Sequence, residues 1–92
     1  MKSVIQTEKK CFICGCEVNL EDHHVFFGTS NRKNSEKYGM KVWLCHMHHT
    51  GSNHSVHHDR ETDLFVKRSA QLTFELDHTR EEFRAIFGKS YL

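Results

Sequence analysis

The sequence predicts an α+β fold in which a metal ion staples a β-hairpin module, with helices following it. Three observations predict this. Cys11-x-x-Cys14 and Cys45-x-x-His48 repeat one chelate spacing, with thirty residues separating Cys14 from Cys45. Two β-prone runs, Val25-Phe26-Phe27 and Val42-Trp43-Leu44, lie between these halves. After Asp59, apolar residues recur at helical spacing, and Thr79-x-x-Glu82 has the pattern of a capping box.

Ninety-two residues make one small domain, and a core that thin gains from a structural metal. It divides into a leader (1–10), the metal-stapled module (11–58) and a helical tail (59–92). An apolar share of 37% with 27% charged residues excludes a disordered chain. No apolar run approaches the length of a membrane span, and Met1–Thr7 lacks the hydrophobic region of a signal peptide. A cytoplasmic protein with no membrane partner is expected. Three of the four cysteines crowd into Cys11–Cys16 while the fourth sits among histidines. In a reducing compartment that clustering favours metal over disulfide. Net charge is only +1, so any nucleic-acid surface must be local. Nine histidines are the larger anomaly, six of them between His46 and His58. Histidine clustered with cysteine points to metal.

In chain order, the leader ends in Glu8-Lys9-Lys10 and reads as a solvated tail. In Cys11-Phe12-Ile13-Cys14-Gly15, both thiolates can face one ion, and Gly15 tolerates the positive φ that closes the turn. Cys16, with a one-residue gap to Cys14 that is a poor chelate spacing, is expected to be a free thiol. A strand is expected over 23–27, ended by Gly28. Neighbouring strand residues point to opposite faces, so His23 and His24 can serve different tasks. Residues 29–39 read as a polar, turn-rich loop in which Ser35 caps a short helical turn that Gly39 ends. Arg32, Lys33 and Lys37 are its basic patch and the candidate contacts to backbone phosphates. Residues 40–45 form the second strand, antiparallel to the first, with Trp43 read as core rather than as a base-stacking platform.

Cys11, Cys14, Cys45 and His48 then make a closed Cys3His set, the structural type of zinc site. It leaves no open position, so its zinc holds the fold and does no chemistry. His49 lies within one turn of Cys45 but on a different side from His48, and suits a second site. A further ligand there is to come from Asn53, His54, His57 or His58. In the tail, Phe65, Leu72 and Leu76, with Val66, Ala70 and Phe74 beside them, make a broad apolar stripe between about Asp59 and Asp77. A last helix carries Phe83, Ile86 and Phe87 and stops at Gly88.

The order of these elements resembles the HNH endonucleases, the ββα-metal nucleases, and in particular their small phage and prophage members. The resemblance rests on C-x-x-C, an His-His strand, an Asn-Arg-Lys loop, a closing C-x-x-H-H and a following Val-His. It spans Cys11 to His57 closely and the tail loosely. It implies a zinc-stapled ββα-metal finger, treble-clef-like, that hydrolyses DNA phosphodiester bonds in the cytoplasm, or in a host's cytoplasm if phage-encoded. His23 then corresponds to the first metal ligand, His24 to the general base, and His49 to a metal ligand. His57 fits the third ligand, with Asn53 as the alternative. The implied cofactors are one structural Zn2+ and one catalytic divalent cation (Mg2+, Mn2+, Ni2+ or Zn2+), leaving 5′-phosphate and 3′-hydroxyl ends. The chain departs from the family at the middle Asn, where it has Met40; Asn31 or Asn34 is the substitute on offer. Two other readings compete. A non-catalytic zinc-stapled module binding DNA or protein accounts for Cys11, Cys14, Cys45 and His48 equally well, but not for His23, His24, His49 and His57. A metal-sequestering histidine protein predicts several weakly held ions.

Overall fold

A computed structural model describes residues 2–92; Met1, the first residue of the leader, lies outside them. The chain forms β1 (Leu20–His24), α1 (Thr29–Tyr38), β2 (Lys41–Cys45), α2 (Arg60–Phe74) and α3 (Arg80–Phe87), with a π-helical turn at Met47–Gly51. The two strands pair antiparallel in a two-stranded sheet, Leu20 opposite Cys45 and His24 opposite Lys41. This is a small α+β protein, as expected. Among the described residues no helix is long and apolar enough to cross a membrane.

The first strand starts three residues earlier than the expected 23–27 and ends at His24. Val25 keeps one bond to the partner strand's end, its N–H donating to the Met40 carbonyl at 3.0 Å. Beyond it, the Phe26 N–H donates to the Ser35 hydroxyl (3.1 Å), and that hydroxyl donates to the Phe26 carbonyl (2.7 Å). The strand stops because a helix side chain takes its backbone bonds. Ser35 is therefore a buried residue inside a helix, not the cap of a short turn.

The expected polar loop at 29–39 is instead the ten-residue α1, closed by Gly39 in the left-handed conformation at φ 70°. The helix has almost no apolar face, which is why hydrophobic periodicity misses it. Polar ties hold it. The Asn31 and Asn34 side-chain amides donate to the Phe87 and Ile86 carbonyls at 3.1 and 2.8 Å, satisfying carbonyls left open at the C-terminus of α3. Both asparagine side chains are thus engaged by α3, away from the histidines.

The leader is not a free tail. Its Val4 N–H donates to the Gly39 carbonyl (3.0 Å) and its Gln6 side-chain oxygen accepts from the Trp43 N–H (2.8 Å), while Phe12, just beyond the leader, donates its N–H to the Trp43 carbonyl (2.8 Å). These bonds cover the open edge of β2. Trp43 is half-buried rather than core, with the Lys9 ammonium 4.8 Å from its ring centroid; the core side of the strand is Val42 and Leu44.

Asp59 caps α2, accepting from the Thr62 N–H at 3.2 Å. Its buried face is Val66, Lys67, Ala70, Gln71 and Phe74. The expected stripe is turned by about one residue, since Phe65, Leu72 and Leu76 are 55, 58 and 84% exposed. Successive residues lie about 100° apart on a helix, so two adjacent apolar lines compete, and the aromatic core chooses one. Phe26 packs against Phe83 and Phe87 (ring centroids 5.2 and 4.6 Å), and Phe74 meets Phe83 at 5.4 Å. α3 starts on the expected capping box, Thr79 with Glu82, and ends at Gly88 (φ 98°).

Candidate metal centres and their cleft

Cys11 and Cys14 sit on a knuckle closed by the Gly15 N–H donating to the Cys11 carbonyl (2.8 Å), with Gly15 at φ 79°. Cys45 ends β2, and His48 follows on the π turn. One ligand atom from each of the four lies within 4.8 Å of all the others. Cys14 Sγ and Cys45 Sγ are 3.8 Å apart, Cys11 Sγ and His48 Nδ1 3.8 Å, and Cys45 Sγ and His48 Nδ1 3.3 Å. A tetrahedral ion bonded to two sulfurs at ~2.3 Å holds them about 3.8 Å apart, whereas a disulfide needs about 2.05 Å. All four cysteines are free. The thiols also pull apart in acidity. Burial opposes ionisation of Cys11, but backbone N–H groups of Cys14, Cys45 and Ile13 outweigh it and lower the thiol to about 6. Burial pushes Cys45 up to about 12, with the neighbouring thiols adding to the effect. Several thiolates in one place require a cation, so the donor set fits a metal such as zinc. Cys16 stays outside this set, its Sγ 3.6 Å from the Val18 carbonyl.

The second cluster joins His23 of β1, His49 of the π turn and His57 of the loop before α2, again with one nitrogen from each within 4.8 Å of the others. Their ring centroids are 5.1 Å (His23–His49), 5.4 Å (His23–His57) and 4.9 Å (His49–His57) apart. His23 is 2% exposed, and its Nε2 is buried without a hydrogen-bond partner. A buried nitrogen without a hydrogen-bond partner, grouped with two other imidazoles, fits a set of donors that could hold a metal ion. Burial first, then the charges of His49 and His57, lower His23 to about 3, keeping it in the neutral form that a metal needs. The structure brings together three of the predicted residues, His23, His49 and His57, whereas Asn53, His54 and His58 do not line the cleft.

Glu21 is the residue that sequence reading missed. Its Oε1 lies 2.6 Å from His49 Nδ1 and its Oε2 3.1 Å from His46 Nδ1. The bond to His49 holds the Glu21 carboxyl below its ordinary range. A carboxylate on one imidazole nitrogen fixes the ring so that the other faces the site. The signal was present, since Glu21 and His23 are two apart on one strand and share a face. Gly51, at the end of the π turn, makes room for His46: a Cβ there would come within 2.6 Å of the ring.

The three histidines open into a cleft of about 250 Å³ lined also by Asp22, His24, Phe27 and Arg32. It wraps round the end of β1, so the adjacent His23 and His24 both reach it. A shallower groove lined by His24, Arg32, Lys33 and Glu36 adjoins it. Of the predicted basic patch, Arg32 and Lys33 line this path. Lys37 does not, its ammonium lying 5.4 Å from the Tyr38 ring centroid instead. None of the protein-family models, curated proteins or solved structures compared with this chain matches it.

Proposed function

We propose that the protein is a metal-dependent endonuclease of the HNH, or ββα-metal, type that hydrolyses DNA phosphodiester bonds. The observation that carries this reading is the cleft itself: three converging imidazoles, one with a buried unpartnered nitrogen, beside a fourth imidazole and a guanidinium. The order β1, α1, β2, π turn and α2 supports a ββα-metal finger, and Cys11, Cys14, Cys45 and His48 support a structural zinc at its base.

Three protein ligands leave a position open, as catalytic sites require. A divalent ion held by His23, His49 and His57 would supply Lewis-acid polarisation of a phosphoryl oxygen and charge stabilisation at the leaving oxygen. Imidazole ligation suits Mn2+, Ni2+ or Zn2+ at least as well as Mg2+, which prefers oxygen. His24, on the same cleft but outside the ligand set, accepts the proton of the attacking water. Arg32 offers a planar fork to a phosphate beside it, and Lys33 extends positive charge along the groove. Glu21 keeps His49 aimed inward. With so few basic residues on the path, the footprint on DNA is short.

Plasmid nicking with Mg2+, Mn2+ or Ni2+ tests the reading. Wild-type protein should nick, and His24→Ala should lose roughly 10²- to 10⁴-fold in rate while keeping its zinc content and melting transition. If the wild type cuts with none of these ions, the zinc-stapled binding module stands in its place.

A further inference from the structure

We infer that Phe27 is a nucleobase-stacking residue: standing at the wall of the three-histidine cleft, it takes the base beside the cut phosphate, so the substrate is a DNA strand unpaired at the cut. The inference rests on the nuclease reading for the cut itself, whereas the stacking contact is a property of binding alone.

The end of the first strand begins the argument. Ser35 takes the backbone bonds of Phe26, whose ring is 1% exposed in the aromatic core, while its neighbour Phe27 is left 42% exposed. The open ring is nonetheless held in place. The Lys67 ammonium sits over it, 4.3 Å from the centroid, and is itself fixed by Asp63 at 2.7 Å. The His57 and His23 rings flank it at 5.2 and 6.1 Å between centroids. A side chain ordered before its ligand arrives loses little further freedom on binding.

Phe27 is also a ridge between two depressions. On one side it lines the cleft of the three histidines with Arg32. On the other it lines a groove that runs past Gly28, Thr29 and Ser30 to Ala85 and Ile86. Among the described residues no carboxylate lines that groove, and a Cβ at Gly28 would meet nothing within 4 Å. A polyanionic strand can therefore leave the cleft over Phe27 without meeting negative charge.

The kind of partner follows from the surroundings. One ring among polar neighbours is not the broad apolar patch that receives a protein. A held aromatic beside a phosphate-sized site matches a nucleobase, since every base has a π-face. In a duplex those faces are already stacked, so a wall residue reaches one only after the base has left the stack. Charge argues the same way. Arg32 and Lys33 are the basic residues lining the path, well short of the roughly six to ten phosphate contacts of a strongly salt-dependent duplex binder. Stacking supplies the hold that charge does not. Negatively supercoiled plasmid favours strand opening, so its nicking agrees with this substrate.

The test uses the full, zinc-loaded chain in a His24→Ala background with Ni2+, so that bound DNA stays intact. Fluorescence anisotropy compares labelled oligothymidylate, an abasic strand of equal length and a duplex. Oligothymidylate should bind tightest. Phe27→Leu should weaken it about 5- to 150-fold and leave the abasic strand unchanged, with zinc and Ni2+ contents as before. Phe27→Tyr, which keeps the ring, should keep the preference for bases. Equal affinity of the unsubstituted Phe27 protein for the base-bearing and abasic strands overturns the inference, and that comparison needs no Phe27 variant to fold. Equal losses on both strands, or loss of Ni2+ in Phe27→Leu, reduce Phe27 to packing for the histidines and overturn it too, as does tightest binding to the duplex. Base-selective, Phe27-dependent binding by a wild type that cuts no DNA overturns the nuclease reading instead and leaves the stacking contact standing.

Discussion

Two ligand clusters meet at adjacent residues, His48 in one and His49 in the other, and they are built on opposite principles. The Cys3His cluster is closed: four donors at tetrahedral spacing, thiols whose acidities spread from about 6 to about 12, and a position at the base of the hairpin. The three-histidine cluster is open: three imidazole donors at the wall of a cleft, backed by Glu21 and neighboured by His24 and Arg32. Donor number and charge separate the tasks. Thiolates crowded together need an ion in order to coexist, so that ion belongs to the fold. Three imidazoles can lie together without an ion, so under the nuclease reading the ion held there would exchange and leave room for a phosphate and a water.

Cys45→Ser should break the closed cluster most severely. Structural zinc contributes on the order of 10 kcal/mol to small zinc-folded peptides, so this variant should lose the cooperative melt and its tight zinc. An intact melt would remove the staple from the account. Acid should come next. His23 is neutral in the folded chain, lowered to about 3, against about 6.5 for an ordinary histidine. Its contribution is fully present above about pH 6.5, and in the ion-free cleft it declines as pH falls toward 3 at about 1.4 kcal/mol per pH unit. His23→Gln should flatten that part of the stability curve, which urea titrations across pH 4–7 would measure. A smaller effect is expected from Glu21→Gln, which should weaken the exchangeable ion about 10- to 100-fold without moving the zinc; titration calorimetry with Ni2+ reads both. Arg32→Ala should have the smallest effect, weakening DNA binding across all sequences and lowering the salt slope by about one phosphate contact. An unchanged slope would place the phosphate path elsewhere.

The parts legible from sequence are those whose chemistry is local. Both chelate halves could be read because ligand type and spacing are set within four residues, and the Thr79–Glu82 box because a cap is made within one turn. His57 emerged from four possible ligands through the resemblance, and of the four it is the one that lines the cleft with His23 and His49. α1 escaped notice because a helix held by Asn31 and Asn34 on another helix's carbonyls carries no apolar period. The α2 stripe was misplaced because Phe65 and Val66 start two equally regular lines, and only the packing of Phe26, Phe83 and Phe87 decides between them. The leader was misread because its bonds are to a strand more than thirty residues away.

By itself the sequence determined which donors exist and how they are grouped: two thiol-rich halves, a histidine pair on a strand, and a histidine cluster after Cys45. These follow from covalent spacing, which no later packing alters. Only the tertiary structure decided which carboxylates stand behind which imidazoles. Glu21 of β1 reaches His49 and His46, 28 and 25 residues further along the chain, across the hairpin. Such contacts are distances in space between residues far apart along the chain, and they come into being only when the strands pair.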